Sequence, residues 1–306
     1  MPIRIPDKLP AKAALERENI FVMGEDRALH QDIRPLRILL LNLMPNKLDT
    51  ETQLLRLLSN SPLQVDVELL QTMTHVPKHT PQEHLLKFYK GFQDIQQQYF
   101  DGLIITGAPL EQMAFEEVDY WPELCEILDW AKTHVFSVFS ICWGAQAALY
   151  YYYRIPKYPL PQKMFGIYPH QVLVPRHNLL RGFDEVFYVP HSRHTETRAQ
   201  DIENCPDLQI LTYSHLAGVH IVADNRGRNF FVTGHSEYDR DSLANEYFRD
   251  RSKGLPIQIP YNYFPDDNPE NVPYFNWRSH ANLLLGNWLD HVIYQNTPYD
   301  LRELTV

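Results

Sequence analysis

The sequence predicts an α/β fold in which a mostly parallel sheet carries helices on both faces. Continuous apolar runs alternate with amphipathic segments of helical period over residues 37–152. Apolar runs of this length are typical of strands buried on both faces, and strands that alternate with helices build parallel sheets through crossover connections. Hydrophobic residues make up 44% of the 306 residues, which is enough for the large core that such a sheet requires.

The predicted elements follow one another in a regular order. Strands are predicted at 37–43, 63–70, 101–106 and 134–141, and helices at 49–58, 81–98, 121–133 and 143–152. Shorter strands that favour antiparallel pairing are predicted at 165–174, 185–189, 209–212, 218–223 and 229–233, before a closing helix at 279–294. We expect the two halves to share one sheet. The predicted organisation is an N-terminal extension at residues 1–35 followed by a single α/β domain at residues 36–306.

Composition and charge exclude several classes of protein. Asp and Glu number 38 against 28 Lys and Arg, a net charge of −10, and such an acidic chain does not suit binding to nucleic acid. No signal peptide and no apolar run long enough to span a bilayer is present, so we expect a cytoplasmic protein without a membrane partner. The three cysteines are Cys125, Cys142 and Cys205. None lies in a C-x-x-C pair, so neither a disulfide framework nor a bound metal is expected.

One of these cysteines stands where an apolar strand meets a helix of small residues. The run 135–141 ends at Cys142, and a segment rich in glycine and alanine follows at 144–148. This order predicts a strand–turn–helix elbow with a nucleophile at its tip. A helix N-terminus favours a thiolate and offers backbone N–H groups to an oxyanion. The alternative is a buried, unreactive thiol, which is the interpretation we give to Cys125 and Cys205.

A thiol nucleophile in acyl chemistry needs a base, and the base needs a group that orients it. The predicted strand 229–233 is followed by His235 and Glu237. In an extended backbone, residues i and i+2 point to the same side, so the carboxylate can hold the imidazole while its other nitrogen faces the sulfur. The alternative is a loop histidine beside a solvated glutamate. Ser236 is rejected as a nucleophile because no closing glycine and no helix of small residues follow it.

These motifs resemble the class I glutamine amidotransferase fold, which is flavodoxin-like. The chain resembles one branch of that fold more closely, the homoserine O-acyltransferases of the homoserine transsuccinylase family. Besides the elbow and the His-x-Glu motif, the similarity includes the segments 1–6, 41–47, 105–109, 190–193 and 274–280. The resemblance implies an amidotransferase-like catalytic domain in a homodimer. It also implies acyl transfer from an acyl-CoA to the hydroxyl of L-homoserine, in methionine biosynthesis.

The resemblance assigns roles to the residues of the motifs. It implies that Cys142 attacks the thioester and carries the acyl group, that His235 is the general base, and that Glu237 orients His235. The oxyanion is expected to meet the backbone N–H of Trp143 and the amine of Lys47, although Lys47 has the alternative of a solvated loop lysine. Transfer through an acyl-enzyme predicts ping-pong kinetics, with acetyl-CoA as co-substrate and no other cofactor.

Further residues concern the choice of substrates. The family implies that Lys163, Ser192 and Arg249 bind homoserine, since a guanidinium suits a carboxylate; the alternative for Arg249 is a surface ion-pair cluster. Glu111 stands where the family has Gly with succinyl-CoA and Glu with acetyl-CoA. A carboxylate there repels the succinyl group, unless it points to solvent. We therefore expect homoserine O-acetyltransferase activity. The alternatives are homoserine O-succinyltransferase activity and, more distantly, glutamine amidotransferase activity.

Overall fold

A computed structural model describes residues 3–6, 8–17, 22–24, 34–75 and 80–304 of the chain. Its strands are β1 (Ile3–Ile5), β2 (Val22–Gly24), β3 (Leu36–Leu41), β4 (Val65–Leu70), β5 (Tyr89–Lys90), β6 (Phe100–Ile105), β7 (Val135–Ile141), β8 (Tyr158–Val172), β9 (Val186–Glu196), β10 (Leu208–Ser214), β11 (Gly218–Asp224) and β12 (Asn229–Val232). Its α-helices are α1 (Pro10–Arg17), α2 (Lys47–Leu58), α3 (Gln82–Phe88), α4 (Phe92–Ile95), α5 (Trp121–His134), α6 (Trp143–Tyr153), α7 (Ala199–Glu203), α8 (Ser242–Ser252) and α9 (Arg278–Asn287). Short 3-10 helices lie at Phe115–Glu117, Asn178–Leu180, Pro265–Asp267 and Leu301–Glu303.

All of these strands belong to one sheet, in the order β2-β1-β4-β3-β6-β7-β12-β11-β10-β8-β9, and β5 pairs with the end of β4. Neighbouring strands from β2 to β12 run parallel. Those from β12 to β9 run antiparallel. The predicted α/β class and the shared sheet are confirmed. The carboxyl ends of β3, β6, β7 and β12 meet at one edge, where ligands bind in open α/β sheets.

Apolar side chains cover both faces of the sheet. In β3, Ile38 and Leu40 belong to one hydrophobic core, whereas Leu39 and Leu41 belong to the other. The helices α2, α8 and α9 pack on the first face, and α5 and α6 pack on the second. A strand covered in this way has no solvated face, which explains why its sequence is a continuous apolar run.

Two predicted helices differ from those in the structure. The helix predicted at 81–98 is wrong in its middle, because Tyr89–Lys90 forms β5 and pairs with β4. Gly91 then precedes the short α4. The closing helix is continuous, but it changes from α-helix to π-helix at Trp288 and ends at Tyr294. Composition favours a helix in both segments, and tertiary pairing overrides that local preference at β5.

The N-terminal segment contributes to the edge of the same sheet. β1 pairs in parallel with β2 and with β4. Ala11 and Leu15 of α1 are buried in the core that also contains the apolar face of α2. Much of the predicted extension, including residues 25–33, lies outside the described residues. Within the part of the chain that is described, no helix has the length and apolar character needed to cross a membrane.

Candidate active site

Cys142 lies between the end of β7 and the start of α6. Its backbone adopts φ 50° and ψ −115°, a conformation that residues other than glycine rarely adopt. The backbone N–H of Cys142 donates to the carbonyl oxygen of Val232 in β12 at 2.7 Å, so the neighbouring strand holds the turn in place. The structure therefore contains the predicted strand–turn–helix elbow, with the backbone strain at the thiol-bearing residue.

Two glycines allow other backbone segments to approach the elbow closely. A Cβ atom on Gly144 would lie 2.6 Å from the carbonyl oxygen of Thr106, so α6 can begin this close to the end of β6 only with glycine. A Cβ atom on Gly107 would lie 3.3 Å from Cβ of Cys142 and 3.5 Å from Cε1 of His235. The loop after β6 therefore passes directly against both side chains.

His235 follows β12, the strand next to β7, and this adjacency brings it to Cys142. Its Nδ1 atom lies 2.6 Å from Oε1 of Glu237, and its Cε1 atom borders Gly107, the glycine that Cβ of Cys142 also borders. The predicted His–Glu contact is present, but the predicted extended backbone is wrong. The N–H of Tyr238 donates to the carbonyl oxygen of His235 at 3.2 Å, so a turn brings the two side chains together.

The charges of these three buried side chains depend on one another. Burial lowers the pKa of His235, but the neighbouring Cys142 and Glu237 raise it, and the net shift is well above the usual value. This direction favours a protonated imidazole next to Cys142 and Glu237. The geometry therefore suits a thiolate nucleophile with a proton available beside it.

Tyr238 is a site residue that sequence reasoning missed. Its ring stacks on the imidazole of His235 with the ring centroids 4.2 Å apart. Burial raises the pKa of its phenol well above the usual value, and nearby negative charges, Glu246 and Glu237 foremost, act in the same direction. The hydroxyl therefore stays protonated and can donate a hydrogen bond in the site. Its place directly after the His-x-Glu motif is the signal that could have found it.

Lys47 opens α2 near the carboxyl end of β3, and its 3% exposure does not fit a solvated loop lysine. Its Nζ atom donates to the carbonyl oxygen of Asn42. Burial lowers the pKa of Lys47 to about 8, although the negative charge of Glu51 raises it. Only β6 separates β3 from β7 in the sheet, so the lysine and the elbow share one edge.

Hydrogen bonds surround this lysine with a fixed set of polar groups. Nδ2 of Asn42 donates to the hydroxyl of Tyr89 at 3.0 Å, and that hydroxyl donates to Oε1 of Glu51 at 2.6 Å. Nε2 of His84 lies 3.0 Å from the same carboxylate oxygen. Burial raises the pKa of Glu51, whereas the hydrogen bonds from Tyr89 and His84 lower it. The network limits the rotamers that Lys47 can adopt.

The lowered pKa of Lys47 leads to a prediction about pH. If its ammonium form stabilises the oxyanion, acylation of Cys142 should slow as the pH rises through about 8, because Lys47 then loses its proton. Lys47→Gln should be slower by about 10²- to 10³-fold and should lack this decline. Single-turnover acylation measured on both sides of pH 8 checks the two expectations. A decline of equal size in the variant would contradict the role of Lys47.

Trp143 is the first residue of α6, so its backbone N–H is not used by the hydrogen bonds of its own helix. Its indole packs against Phe115 and Tyr120, with ring centroids 5.8 Å and 5.9 Å away. The side chain is therefore anchored in the core behind the elbow. Only the backbone of Trp143 is left to face a ligand, which is the part that the predicted oxyanion role requires.

The residues predicted to bind homoserine converge on Glu246, which sequence reasoning missed. Nζ of Lys163 lies 2.5 Å from Oε1 of Glu246, and Oγ of Ser192 donates to its Oε2 at 2.9 Å. Nη2 of Arg249 lies 3.6 Å from Glu246, while Nε donates to Asp250 at 2.7 Å. Arg249 therefore lies in the ion-pair cluster named as its alternative, and its binding of homoserine stays a prediction. The i, i+3 spacing of Glu246 and Arg249 on α8 was the available signal.

Glu111 lies in the turn region after β6 and is 9% exposed, so it does not point to solvent. Its carboxylate acts electrostatically on Lys157, Arg193 and Tyr238. Arg193 and Tyr238 also respond to the charge of Cys142. The carboxylate and the thiol therefore act on the same buried groups, as expected if Glu111 borders the acyl pocket.

Among the described residues, His170, His191 and His220 have the spacing of metal ligands. Their hydrogen bonds disfavour a metal ion. Nε of Arg193 donates to Nδ1 of His191, and the N–H of Gly234 donates to Nδ1 of His220, both at 3.3 Å. In a neutral ring these bonds place the proton on Nε2, where a metal would have to bind. The guanidinium beside the cluster adds repulsion toward any cation.

Comparison with known proteins identifies the family and the fold. A family model described as homoserine O-succinyltransferase matches residues 2–299. A protein named homoserine O-acetyltransferase from Acetivibrio thermocellus is 62% identical over 304 residues, which cover 99% of this chain and 100% of the relative. A protein of the same name from Geobacillus kaustophilus is 61% identical over 300 residues, with coverage of 98% and 99%. A solved glutamine amidotransferase from Thermotoga maritima gives a TM-score of 0.54 at 13% identity, over 86% of this chain and 100% of its own, which confirms the predicted fold.

Proposed function

The chain belongs to the homoserine O-succinyltransferase family, and we propose that it transfers the acetyl group of acetyl-CoA to the hydroxyl of L-homoserine. Relatives that it matches over essentially their full length bear the name homoserine O-acetyltransferase. The observation that carries the mechanism is the elbow at Cys142, with His235 beside it and Nδ1 of His235 hydrogen-bonded to Glu237. The family places this reaction in methionine biosynthesis.

The first half-reaction forms an acyl-enzyme. The Cys142 thiolate attacks the thioester carbon of acetyl-CoA, and the carbonyl oxygen becomes an oxyanion. The backbone N–H of Trp143 and the ammonium of Lys47 donate to that oxyanion, whose charge develops only on the way to the intermediate, so these donors lower the barrier. As the intermediate collapses, CoA leaves with the proton that His235 supplies. The acetyl group remains on Cys142 as a thioester.

The second half-reaction uses the same groups in the opposite sense. His235, now neutral, takes the proton of the homoserine hydroxyl while that oxygen attacks the Cys142 thioester. Glu237 accepts the Nδ1–H of the ring, so Nε2 is the nitrogen left to take the proton. The Cys142 thiolate then leaves, and the imidazolium beside it restores the resting pair. Because CoA departs before homoserine reacts, ping-pong kinetics are expected.

The cluster around Glu246 suits the amino-acid part of homoserine. A carboxylate and a guanidinium on neighbouring turns of α8 match the ammonium and carboxylate groups of a zwitterion. Arg249 is 54% exposed, so an incoming carboxylate can reach it. Lys163 and Ser192, which both donate to Glu246, hold that carboxylate in one orientation. When homoserine binds, its ammonium pairs with Glu246 and its carboxylate pairs with Arg249, in place of ion pairs that these residues form without the ligand. The charges in the pocket therefore stay compensated.

The proposed donor is acetyl-CoA rather than succinyl-CoA. A succinyl group ends in a carboxylate, and Glu111 is a buried carboxylate that acts on the groups around Cys142. Two like charges in a buried pocket repel strongly because little water screens them. An acetyl group is short and uncharged, so it avoids this repulsion.

Glu111→Gly should change the choice of acyl donor. Removing the buried carboxylate should raise the ratio of kcat/KM for succinyl-CoA to that for acetyl-CoA by about tenfold or more, since like-charge contacts in a binding site cost several kcal/mol. Steady-state rates with each donor provide the measurement. Glu116→Gln, which removes an exposed carboxylate nearby, is the matched control and should leave the ratio unchanged. An unchanged ratio in Glu111→Gly would argue against the assignment.

Mass spectrometry of the acyl-enzyme tests the proposed function directly. The full-length protein is incubated with acetyl-CoA alone and with succinyl-CoA alone, and peptide mapping locates the label. We expect an acetyl group on Cys142, which added L-homoserine discharges as O-acetyl-L-homoserine. A label on another residue would overturn the mechanism. Faster labelling by succinyl-CoA would overturn the choice of donor, and discharge by ammonia rather than homoserine would favour an amidotransferase.

A further inference from the structure

Arg193 lies in β9, is 3% exposed and donates only to uncharged acceptors. Its Nε donates to Nδ1 of His191 at 3.3 Å, its Nη1 donates to the carbonyl oxygen of Thr195 at 2.6 Å, and its Nη2 donates to the carbonyl oxygen of Ala217. Across the residues that the structure covers, no carboxylate forms an ion pair with this guanidinium within 4.0 Å. Such an arrangement is unusual, because charged groups are seldom buried without a partner of opposite charge.

The histidines next to Arg193 do not compensate its charge. Nε2 of His191 lies 3.2 Å from Nε2 of His170, and Nδ1 of His170 lies 3.0 Å from the carbonyl oxygen of Tyr168. These distances fit one proton per ring, with His191 donating to His170 and His170 donating to Tyr168. Burial lowers the pKa of His170 to about 3 and lowers those of His191 and His220 well below the usual value. All three rings are therefore neutral.

Two contacts connect the strand of Arg193 to the catalytic elements. Oγ1 of Thr195 donates to Oε1 of Gln146 at 2.9 Å, which joins β9 to the start of α6. A Cβ atom on Gly234, the residue before the catalytic histidine, would lie 3.1 Å from the ring of His191. β9 therefore passes directly behind the triad, and its buried cation lies close to both the elbow and the base.

Several ionisable groups act on the charge of Arg193. Burial lowers the pKa of Arg193, and the nearby groups oppose this shift in the order Cys142, Glu196, Tyr168 and Glu111. Cys142 comes first in this order, and it lies in the elbow that β9 passes behind.

We propose that Arg193 supplies a buried positive charge that stabilises the Cys142 thiolate. The inference rests on the nucleophilic role proposed for Cys142. Proton transfer from Cys142 to His235 leaves the net charge of Cys142, His235 and Glu237 unchanged at one negative charge, so the guanidinium does not act by making this set neutral. It acts by its place in β9 behind the elbow, where a buried positive charge lowers the free energy of the thiolate relative to that of the thiol. Arg193 acts through its charge without touching the reacting atoms, and is therefore a positioning residue.

The same charge acts in both half-reactions. Before acylation it favours the thiolate that attacks acetyl-CoA. While Cys142 carries the acetyl group the thiolate charge is absent, so the guanidinium lacks its partner. When homoserine attacks the thioester, the Cys142 thiolate leaves, and its negative charge again lies near the guanidinium. Arg193 therefore lowers the barrier for the thiolate as leaving group as well as favouring the thiolate as nucleophile.

Other ionisable groups also act on the thiolate, so the effect of Arg193 is partial. His235 faces Cys142 from the loop after β12, with Glu237 behind it. Tyr238 from the same loop, Glu111 from the turn after β6 and Lys47 from the start of α2 are further ionisable groups on this side. The imidazolium supplies a second positive charge that also acts on Cys142. Loss of Arg193 should therefore weaken the thiolate without abolishing it.

Alkylation of Cys142 by iodoacetamide tests this inference, with peptide mass spectrometry to separate Cys142 from Cys125 and Cys205. The rate is measured against pH for the wild-type protein, Arg193→Gln, Arg193→Met and Arg193→Lys. We expect both uncharged variants to move the midpoint of the profile upward by about one pH unit, and Arg193→Lys to stay near wild type. Gln retains hydrogen-bond donors and Met does not, so a shift shared by both reports the charge.

Thr195→Val is the matched control, because it removes the hydrogen bond to Gln146 and leaves the guanidinium in place; its midpoint should not move. Circular dichroism identifies the variants that fold. If only one of Arg193→Gln and Arg193→Met folds, that variant alone is enough to test the inference. A lower rate at every pH with an unchanged midpoint would overturn the inference in favour of a structural role. Iodoacetamide needs neither acyl-CoA nor homoserine. A shifted midpoint in a protein that forms no acetyl-enzyme would thus sustain the role of Arg193 while overturning the proposed function.

Discussion

Replacing Cys142 with alanine should reduce acyl transfer by at least about 10⁴-fold, because removal of a nucleophile disables a triad as a unit. Alanine fits the tightly packed elbow and removes only the sulfur. Cys142→Ser should be almost as inactive, since a serine hydroxyl stays protonated where a thiol ionises. Both effects are measured as kcat/KM for O-acetylhomoserine formation and as the single-turnover release of CoA.

The other two cysteines are the controls for this prediction. Cys125 and Cys205 are half-buried, and burial raises the pKa of Cys125 to about 11, so it remains a thiol at neutral pH. Cys125→Ala and Cys205→Ala should both keep nearly full activity. If Cys142→Ala retained more than about a tenth of the wild-type kcat/KM, covalent catalysis at this residue would be refuted.

Trp288→Ala should lower the free energy of unfolding by about 3–5 kcal/mol, the usual cost of emptying a buried tryptophan site. Trp288 is fully buried. Its indole N–H donates to Oγ of Ser137 in β7 at 2.9 Å, and its ring centroid lies 5.5 Å from that of Phe139. A Cβ atom on Gly102 in β6 would lie 2.7 Å from its ring. The substitution opens a cavity under the two strands and leaves the Ser137 hydroxyl without its donor.

Denaturant unfolding followed by circular dichroism measures this loss. Tyr294→Ala is the control on the same closing helix, because Tyr294 is 58% exposed and its replacement should change stability by less than about 0.5 kcal/mol. Trp288→Phe should give an intermediate loss. A decrease below about 1 kcal/mol in Trp288→Ala would mean that the core collapses to fill the space.

The elements that the sequence predicts well are those whose surroundings leave a local pattern. β7 is buried along its whole length, and its continuous apolar run shows this directly. The elbow at Cys142 is equally visible, because the close approach of α6 to β6 demands small residues after the thiol. The parallel half of the sheet follows from the same patterns, since each apolar run is separated from the next by a helical segment.

The features that sequence reasoning missed depend on partners distant in the chain. Nothing local distinguishes Tyr89–Lys90 from the helical segments on either side, and only pairing with β4 makes it a strand. Arg193 lies beyond the strand predicted at 185–189, and the local pattern cannot show that carbonyl groups and a neutral histidine surround it. Glu246 was overlooked for the opposite reason, since a glutamate near arginines on a helix is ordinary surface chemistry. The contact of His235 with Glu237 was predicted, but from a backbone conformation that the turn replaces.

The position of β12 in the sheet has a consequence for the synthesis of the chain. β12 pairs with β7 on the side that β6 leaves open, yet it is translated long after β7. Until residues 229–232 leave the ribosome, β7 is an unpaired edge whose seven residues are all apolar or small. Exposed apolar edges of this kind recruit other chains and lead to aggregation. The four residues of β12 therefore cover this apolar edge once they have been synthesised, in addition to positioning His235.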